Sequence, residues 1–284
     1  MKHAEDYLNT FELTLFIWIT SLAAGFLGAL TGLGGGFVIV PALSLVFGVD
    51  IRYAIGASLI SVIATSSGAA AAYVKEGFTN TRIGMFLEIA TTFGALTGAF
   101  VAARVSTQAI AVIFGCLLLW SAYEESRPRL SRSAEGKDRL AGILKLDSNY
   151  PTPNGIQSYS VHSVPGGFGL MVLAGILSGL LGIGSGAMKV LAMDHVMKIP
   201  FKVSTTTSNF MIGVTAAASA GVYLNRGYID PGITMPVMLG VVTGSLIGAR
   251  MLVKVKTRPL RLLFSIVIFI LAVEMIFNGL TGRL

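Results

Sequence analysis

The chain repeats itself at a fixed offset of 150 residues, without a gap. GFLGALTGLGGGFVIVP, from Gly25 to Pro41, returns as GILSGLLGIGSGAMKVL from Gly175, so Gly25, Gly32, Gly34 and Gly36 fall on Gly175, Gly182, Gly184 and Gly186. Ser58, Thr65, Tyr73, Gly77, Gly94, Gly98 and Glu124 fall likewise on Ser208, Thr215, Tyr223, Gly227, Gly244, Gly248 and Glu274. A duplicated chain builds one unit twice, so whatever the glycine cluster does, it does twice. Glycine lowers helix propensity and admits positive φ, so a cluster inside an apolar helix breaks it and bares backbone N–H and C=O groups. In a bilayer such a break is tolerated only where it is buried in protein or lines a wet cavity. Two breaks related by an internal repeat point to a transporter's binding site.

The breaks do lie in a membrane protein, because 54% of the 284 residues are hydrophobic and only 12% are charged. The net charge of +7 does not predict a nucleic-acid partner, since the Lys and Arg residues sit in short loops between apolar runs. One cysteine, Cys116, and three histidines leave no thiolate or histidine cluster for a metal, and no cofactor is expected. The first ten residues carry two acids and no small-residue cleavage pattern, which argues against a removed signal peptide.

Runs long enough to span, at about twenty residues each, cover 11–30, 54–74, 85–103 and, a little short, 107–123. The second half offers 167–181, 204–224, 233–253 and 260–278. Two shorter runs, 37–49 and 187–197, follow the glycine clusters and are expected to pair with their predecessors as helix hairpins or broken helices. The predicted fold is all-α and polytopic, with two repeats of about five apolar segments (1–124 and 164–284) joined by a polar linker, 125–163.

Basic residues in short loops favour the cytoplasm. If each half crosses an odd number of times, one face holds Lys75, Arg82, the six linker residues Arg127, Arg129, Arg132, Lys137, Arg139 and Lys145, and Lys198, Lys202, Arg250, Lys254, Lys256, Arg258 and Arg261. The other holds only Lys2, Arg52, Arg104, Arg226 and Arg283. An even count divides the charges almost equally. The repeats are therefore predicted to be inverted, with both termini outside and the linker cytoplasmic. Short segments that both cross and hairpins that both return give the same parity.

Inversion brings the two breaks together from opposite sides. Gly32, Gly34, Gly35 and Gly36, and Gly182, Gly184, Ser185 and Gly186, are the expected substrate-binding backbone, each cluster opening a half-helix whose free N–H groups suit an anion. The GxxxG pairs Gly94/Gly98 and Gly244/Gly248 are read instead as close-packing residues of uninterrupted helices. Lys189 lies three residues past Gly186, where its repeat partner is Ile39. A cation at bilayer depth costs about 2.5 to 3.5 kcal/mol on insertion scales. It either faces a cavity and pairs with an anionic substrate, or snorkels to the interface or pairs with a carboxylate such as Glu88. Ser58, Thr65, Ser208, Asn209 and Thr215 are candidate pore-lining groups, their hydroxyls and amide suited to oxyanion oxygens. Glu88 is a candidate for proton coupling, placed no deeper than the interface.

The segments ALTGLGGGFVIVPAL, AIGASLISVIATSSGAAAAY, GIGSGAMKV and KVSTTTSNFMIGVTAA together resemble the TauE/SafE family of sulfite and organosulfonate exporters, over both halves and all but the linker. The resemblance implies a bacterial or archaeal cytoplasmic-membrane permease for anions such as sulfite, sulfoacetate or taurine-related compounds. Pro41 has Leu191 as its counterpart, so the two half-sites are not equivalent, and Lys189 makes the second the tighter anion holder. An anion leaving a negative interior gains about 2.3 kcal/mol per charge per 100 mV. No GxxxxGK[ST] stretch is present, so no built-in ATPase is expected. The expected mechanism is alternating access by rocking one repeat against the other. The partners are a small anion and the lipid bilayer, and no signal sets an oligomeric state. Two other readings stay open: uptake of an organic anion, and an intramembrane enzyme acting on a lipid or reactive small molecule.

Overall fold

The structure is a computed structural model and describes residues 10–31, 35–75, 77–126, 138–152, 155–252 and 257–283. Two of the expected binding glycines, Gly32 and Gly34, lie outside the described residues. The first half forms α1 (Thr10–Thr31), α2 (Gly36–Pro41), α3 (Ile51–Lys75), α4 (Thr81–Ala102) and α5 (Thr107–Ser126). A short helix, α6 (Arg139–Ile143), and an antiparallel hairpin of β1 (Ser148–Thr152) and β2 (Gly155–Tyr159) follow. The second half forms α7 (Val164–Leu181), α8 (Gly186–Leu191), α9 (Phe201–Asn225), α10 (Pro231–Leu252) and α11 (Thr257–Thr281). Helices α1, α4, α7 and α10 are long and apolar enough to cross a membrane. On α4, Met85, Ile89, Phe93, Leu96 and Phe100 recur at helical spacing and are exposed, as a lipid-facing stripe requires.

Both short segments return. The arm of α2 continues through a π-helical turn, Ala42–Val46, and lies along the first half of α1, where Ile39, Ala42, Leu43 and Phe47 meet Ile17, Thr20 and Ser21. The arm of α8 continues through a matching π turn, Ala192–Val196, and brings Met197 against Gly167 near the start of α7. At about 1.5 Å per residue, Gly36–Val46 covers about 15 Å, half of a ~30 Å hydrocarbon core. Each hairpin therefore enters the core and goes back.

Repeat-equivalent helices run in opposite directions. Along the α3–α9 contact, Gly56 meets Tyr228 just beyond α9, whereas Ser66 meets Gly213. Along α5–α11, Gly279 meets Gln108 and Ser265 donates to the Ala122 carbonyl. The two repeats are thus inverted. The first described helix begins, and the last ends, on one face, and α6 with the β-hairpin covers the other.

The largest helix contacts join the two halves rather than lie within either. α1 runs beside α10, and α4 beside α7, both pairs parallel. Their glycines make this approach possible. A Cβ on Gly244 would overlap the Leu22 carbonyl, one on Gly94 that of Val172 and one on Gly98 that of Ile176, while Gly248 sits against Phe26 and Ala29. Gly25 and Gly175 do the same against Val241 and Thr91. The close-packing reading of the GxxxG pairs agrees with this geometry.

The described part of the linker is folded. Asp138 caps α6 through Leu140 N–H (2.9 Å) and accepts Val164 N–H at the start of α7 (3.0 Å). The Val164 bond, then the Leu140 bond, holds its carboxyl below the usual carboxylate range. A carboxyl lowered in the folded state stabilises above its unfolded pKa, so this anchor is intact at neutral pH and is lost only as pH falls through and below the usual carboxylate range. Asn80 spends every polar atom: Oδ1 caps α4 by accepting Ile83 N–H, Nδ2 donates to the Leu146 carbonyl and the Tyr159 hydroxyl, and its backbone N–H donates to Thr207. Its repeat counterpart, Asp230, is exposed and caps α10 through Gly232 and Ile233 N–H.

Two outcomes follow. Asp230→Ala is expected to cost about 1 kcal/mol, a helix cap, and Asn80→Ala roughly twice that, because two further buried bonds go; melting of the purified variants reads the difference, and equal shifts would contradict it. A chain cut between residues 126 and 138 is expected to yield halves that co-purify when made together and aggregate when made singly.

Candidate functional site

The two hairpin tips meet. α1 ends at Thr31 and α2 starts at Gly36; α7 ends at Leu181 and α8 starts at Gly186. Gly182 caps α7 in the left-handed conformation, φ +69°, with its Cα face against Ile55 of α3, so any side chain there is both strained and crowded. Gly184 is also left-handed, and Ser185, at φ 46°, makes the N-cap of α8. A Cβ on Gly36 would stand 2.8 Å from Ser58 Oγ and 3.2 Å from Ile183 Cα. Ser58 Oγ donates to the Gly182 carbonyl at 2.8 Å, so a side chain of the first repeat satisfies backbone opened in the second. Ser208, its counterpart, donates to the Gly186 carbonyl at 3.2 Å. The breaks therefore come together as the inversion requires. Among the described residues they touch, rather than facing each other across a void.

Lys189 is fully buried, which excludes snorkelling. Its Nζ donates to Thr215 Oγ1 on α9 at 2.5 Å, and Thr215 Oγ1 donates to Glu88 Oε1 on α4 at 2.6 Å. The expectation that Lys189 meets either a substrate or Glu88 resolves in this conformation toward Glu88, through one hydroxyl. Glu88 is 9% exposed and lies on the inner face of α4 with Leu87, Ala90 and Thr91, two turns from the start of that helix. Thr92 donates to the same oxygen at 3.2 Å, and Thr91 stands 3.4 Å from Thr215 Oγ1. Glu88 Oε2 is buried and makes no hydrogen bond among the described residues.

The repeat makes the asymmetry visible. The positions of Lys189, Glu88, Thr91 and Thr92 are occupied in the other half by Ile39, Met238, Val241 and Val242. The backbone is duplicated, but only one copy is charged. Helix breaking itself does not differ: both arms enter a π turn at matching residues although only the first has a proline, so Pro41 is not its cause.

The other expected site residues divide. Gly35, Gly184 and Ser185 are at the tips, and Ser185 Oγ is buried without a hydrogen bond among the described residues. Thr65 is half-buried and bonds back to Ser61 and Val62 carbonyls of its own helix, and Asn209 is half-buried on α9. Sequence reasoning missed a pair of cation–ring contacts, one on each face. On one face the Arg52 guanidinium lies 5.8 Å from the Tyr228 ring centroid, and on the other the Lys202 ammonium lies 3.7 Å from that of Phe78. These are repeat-equivalent pairs, and the 150-residue offset alone could have found them. Tyr223 was seen only as a repeat match; its hydroxyl lies within hydrogen-bond reach of the Gly179 and Leu180 carbonyls near the end of α7.

Comparison with known proteins agrees with this architecture. The family model described as sulfite exporter TauE/SafE matches residues 17–275. The "Probable membrane transporter protein YunE" of Bacillus subtilis is 27% identical, over 92% of this chain and 97% of that protein. A protein of the same description from Methanocaldococcus jannaschii is 23% identical, over 91% of this chain and 93% of its own length. No solved structure matches. Inverted repeats, paired re-entrant hairpins and a match over nearly the whole length lead to one conclusion: the chain belongs to the TauE/SafE family of membrane transporters.

Proposed function

We propose that the protein is a permease that exports small sulfur-containing anions, such as sulfite, sulfoacetate or related organosulfonates, across the cytoplasmic membrane. The observation that carries this reading is the fully buried Lys189, held three residues into the arm that leaves a hairpin tip, among buried hydroxyls and a single carboxylate. An ammonium costs several kcal/mol to bury unless something negative meets it. Thr215 and Glu88 meet it here, and an anion reaching the tips would compete for the same donor. The choice of sulfur oxyanions and the outward direction rest on the family's description.

Alternating access follows from two hairpins entering from opposite faces and meeting tip to tip. The interlocked packing favours moving bodies that mix the repeats: α1, α2, α3 and α10 on one side, and α4, α7, α8 and α9 on the other. A cation stands over an aromatic ring where each inner helix begins, Arg52 for α3 and Lys202 for α9, so each mouth offers an anion a first contact. The excess of basic residues on the face of α6 and the β-hairpin supports a cytoplasmic position for that face.

A Thr hydroxyl between a lysine and a carboxylate also has the make-up of an activated nucleophile. Purified protein in liposomes separates the two readings. Flux of sulfite, sulfoacetate or isethionate supports the permease, and product formation without flux supports an enzyme. Lys189→Gln is expected to cut anion flux at least tenfold with the protein still folded by melting analysis; unchanged flux would remove Lys189 from the site.

A further inference from the structure

Resting on that reading, we propose that one proton travels with each monoanion the protein carries, Glu88 taking up the proton when the anion occupies Lys189. The site holds one ammonium and one carboxylate joined through a single hydroxyl. Written as Lys189-NH3+ and Glu88-COO−, it is neutral. An anion settling on the ammonium makes the site negative by one in a buried environment, where an uncompensated charge is expensive. Binding one H+ from water at Glu88 restores neutrality, and Oε2, the oxygen without a hydrogen bond among the described residues, has room in its bonding for it. Releasing the anion and the proton together regenerates the starting pair. Loaded and empty forms then both change conformation without moving net charge through the membrane.

Among the described residues no other ionisable side chain is hydrogen-bonded to this pair. α7, which packs along α4, contains none. On α9 the ionisable residues are Lys202, in the first turn over Phe78, and Tyr223, near the far end. On the returning arm Asp194 and His195 lie in the π turn, with His195 Nε2 3.8 Å from Asp194 Oδ2. On α4 itself Arg82 is in the first turn and exposed, reaching the Lys145 carbonyl of the extramembrane segment; the ionisable groups of that segment, among them Asp138, Arg139, Lys145, Asp147 and Tyr159, stay with it beyond the first turn of α4. Because the equivalent of Glu88 is Met238 and that of Lys189 is Ile39, there is one such pair per chain and hence one proton per monoanion carried.

The pair makes a distinctive prediction for Glu88→Gln. The empty variant holds Lys189 as an unpaired buried cation, whereas the anion-loaded variant is neutral. Loaded carriers cross and empty ones do not, so the variant exchanges anions but does not transport them net. The experiment uses full-length protein in liposomes with isethionate, sulfoacetate and sulfite as probes, at clamped voltage and imposed pH difference. In wild type, net flux of the monoanion isethionate is expected to ignore voltage, to follow the pH difference and to move one proton per anion. In Glu88→Gln the ratio of net flux to exchange is expected to fall at least tenfold, and in Glu88→Asp to recover. Wild-type flux that follows voltage and ignores pH would overturn the coupling and leave the permease standing. No flux of any probe would remove both. A Glu88→Gln protein that loses exchange and net flux alike, with Glu88→Asp no better, would reduce Glu88 to a structural role.

Discussion

A backbone broken inside a bilayer has no water to complete it, and the contact between the two hairpin tips is where this protein meets that constraint. The Ser58 hydroxyl of one repeat donates to the Gly182 carbonyl of the other, and Gly36 leaves no side chain between them. The second hairpin is therefore completed by a side chain of the opposite half, and the first packs directly against it. The swapped packing of α1 on α10 and α4 on α7 extends that dependence through the whole bundle. A sequence duplication has thus become a structure in which the two repeats interlock rather than stand as separate bodies.

Onto this near-symmetric backbone the chain writes an asymmetric chemistry. Turns after α3 and α9 use Gly77 and Gly227 at φ +75° and +73°, and a basic residue stands over the following aromatic ring in both. The two arms share their π turns. At the tips the symmetry ends, because Lys189 and Glu88 replace Ile39 and Met238. A symmetric charged site would bury two cations close together at large electrostatic cost. One charged half against one apolar half leaves a single buried ion pair beside the contact between the tips.

Much of this was legible in the sequence, because a gapless repeat and a period of apolar runs are local signals. The glycine clusters marked the breaks, the loop charges fixed the parity, and Lys189 stood out against Ile39. What escaped needed three dimensions. Glu88 lies only two turns into α4, and nothing in a linear reading says that this face of α4 meets Thr215 of α9 and, through it, Lys189. Thr215 was a repeated hydroxyl among several until α4, α8 and α9 placed it between two charges. The linker read as polar and irregular because α6, β1 and β2 are each five residues long, too short to show a period.

The account depends on the tip contact being a gate that faces two ways. Ser185, in that contact and 1% exposed, reports on it directly, since Cys116 is the chain's single cysteine and can be replaced by serine first. Membrane-impermeant maleimide labelling of Ser185→Cys, from each side of oriented vesicles with and without sulfite, is the measurement. Labelling from both faces, with sulfite slowing one and speeding the other, is the predicted result. Labelling from one face only, at a rate the anion leaves unchanged, would contradict it.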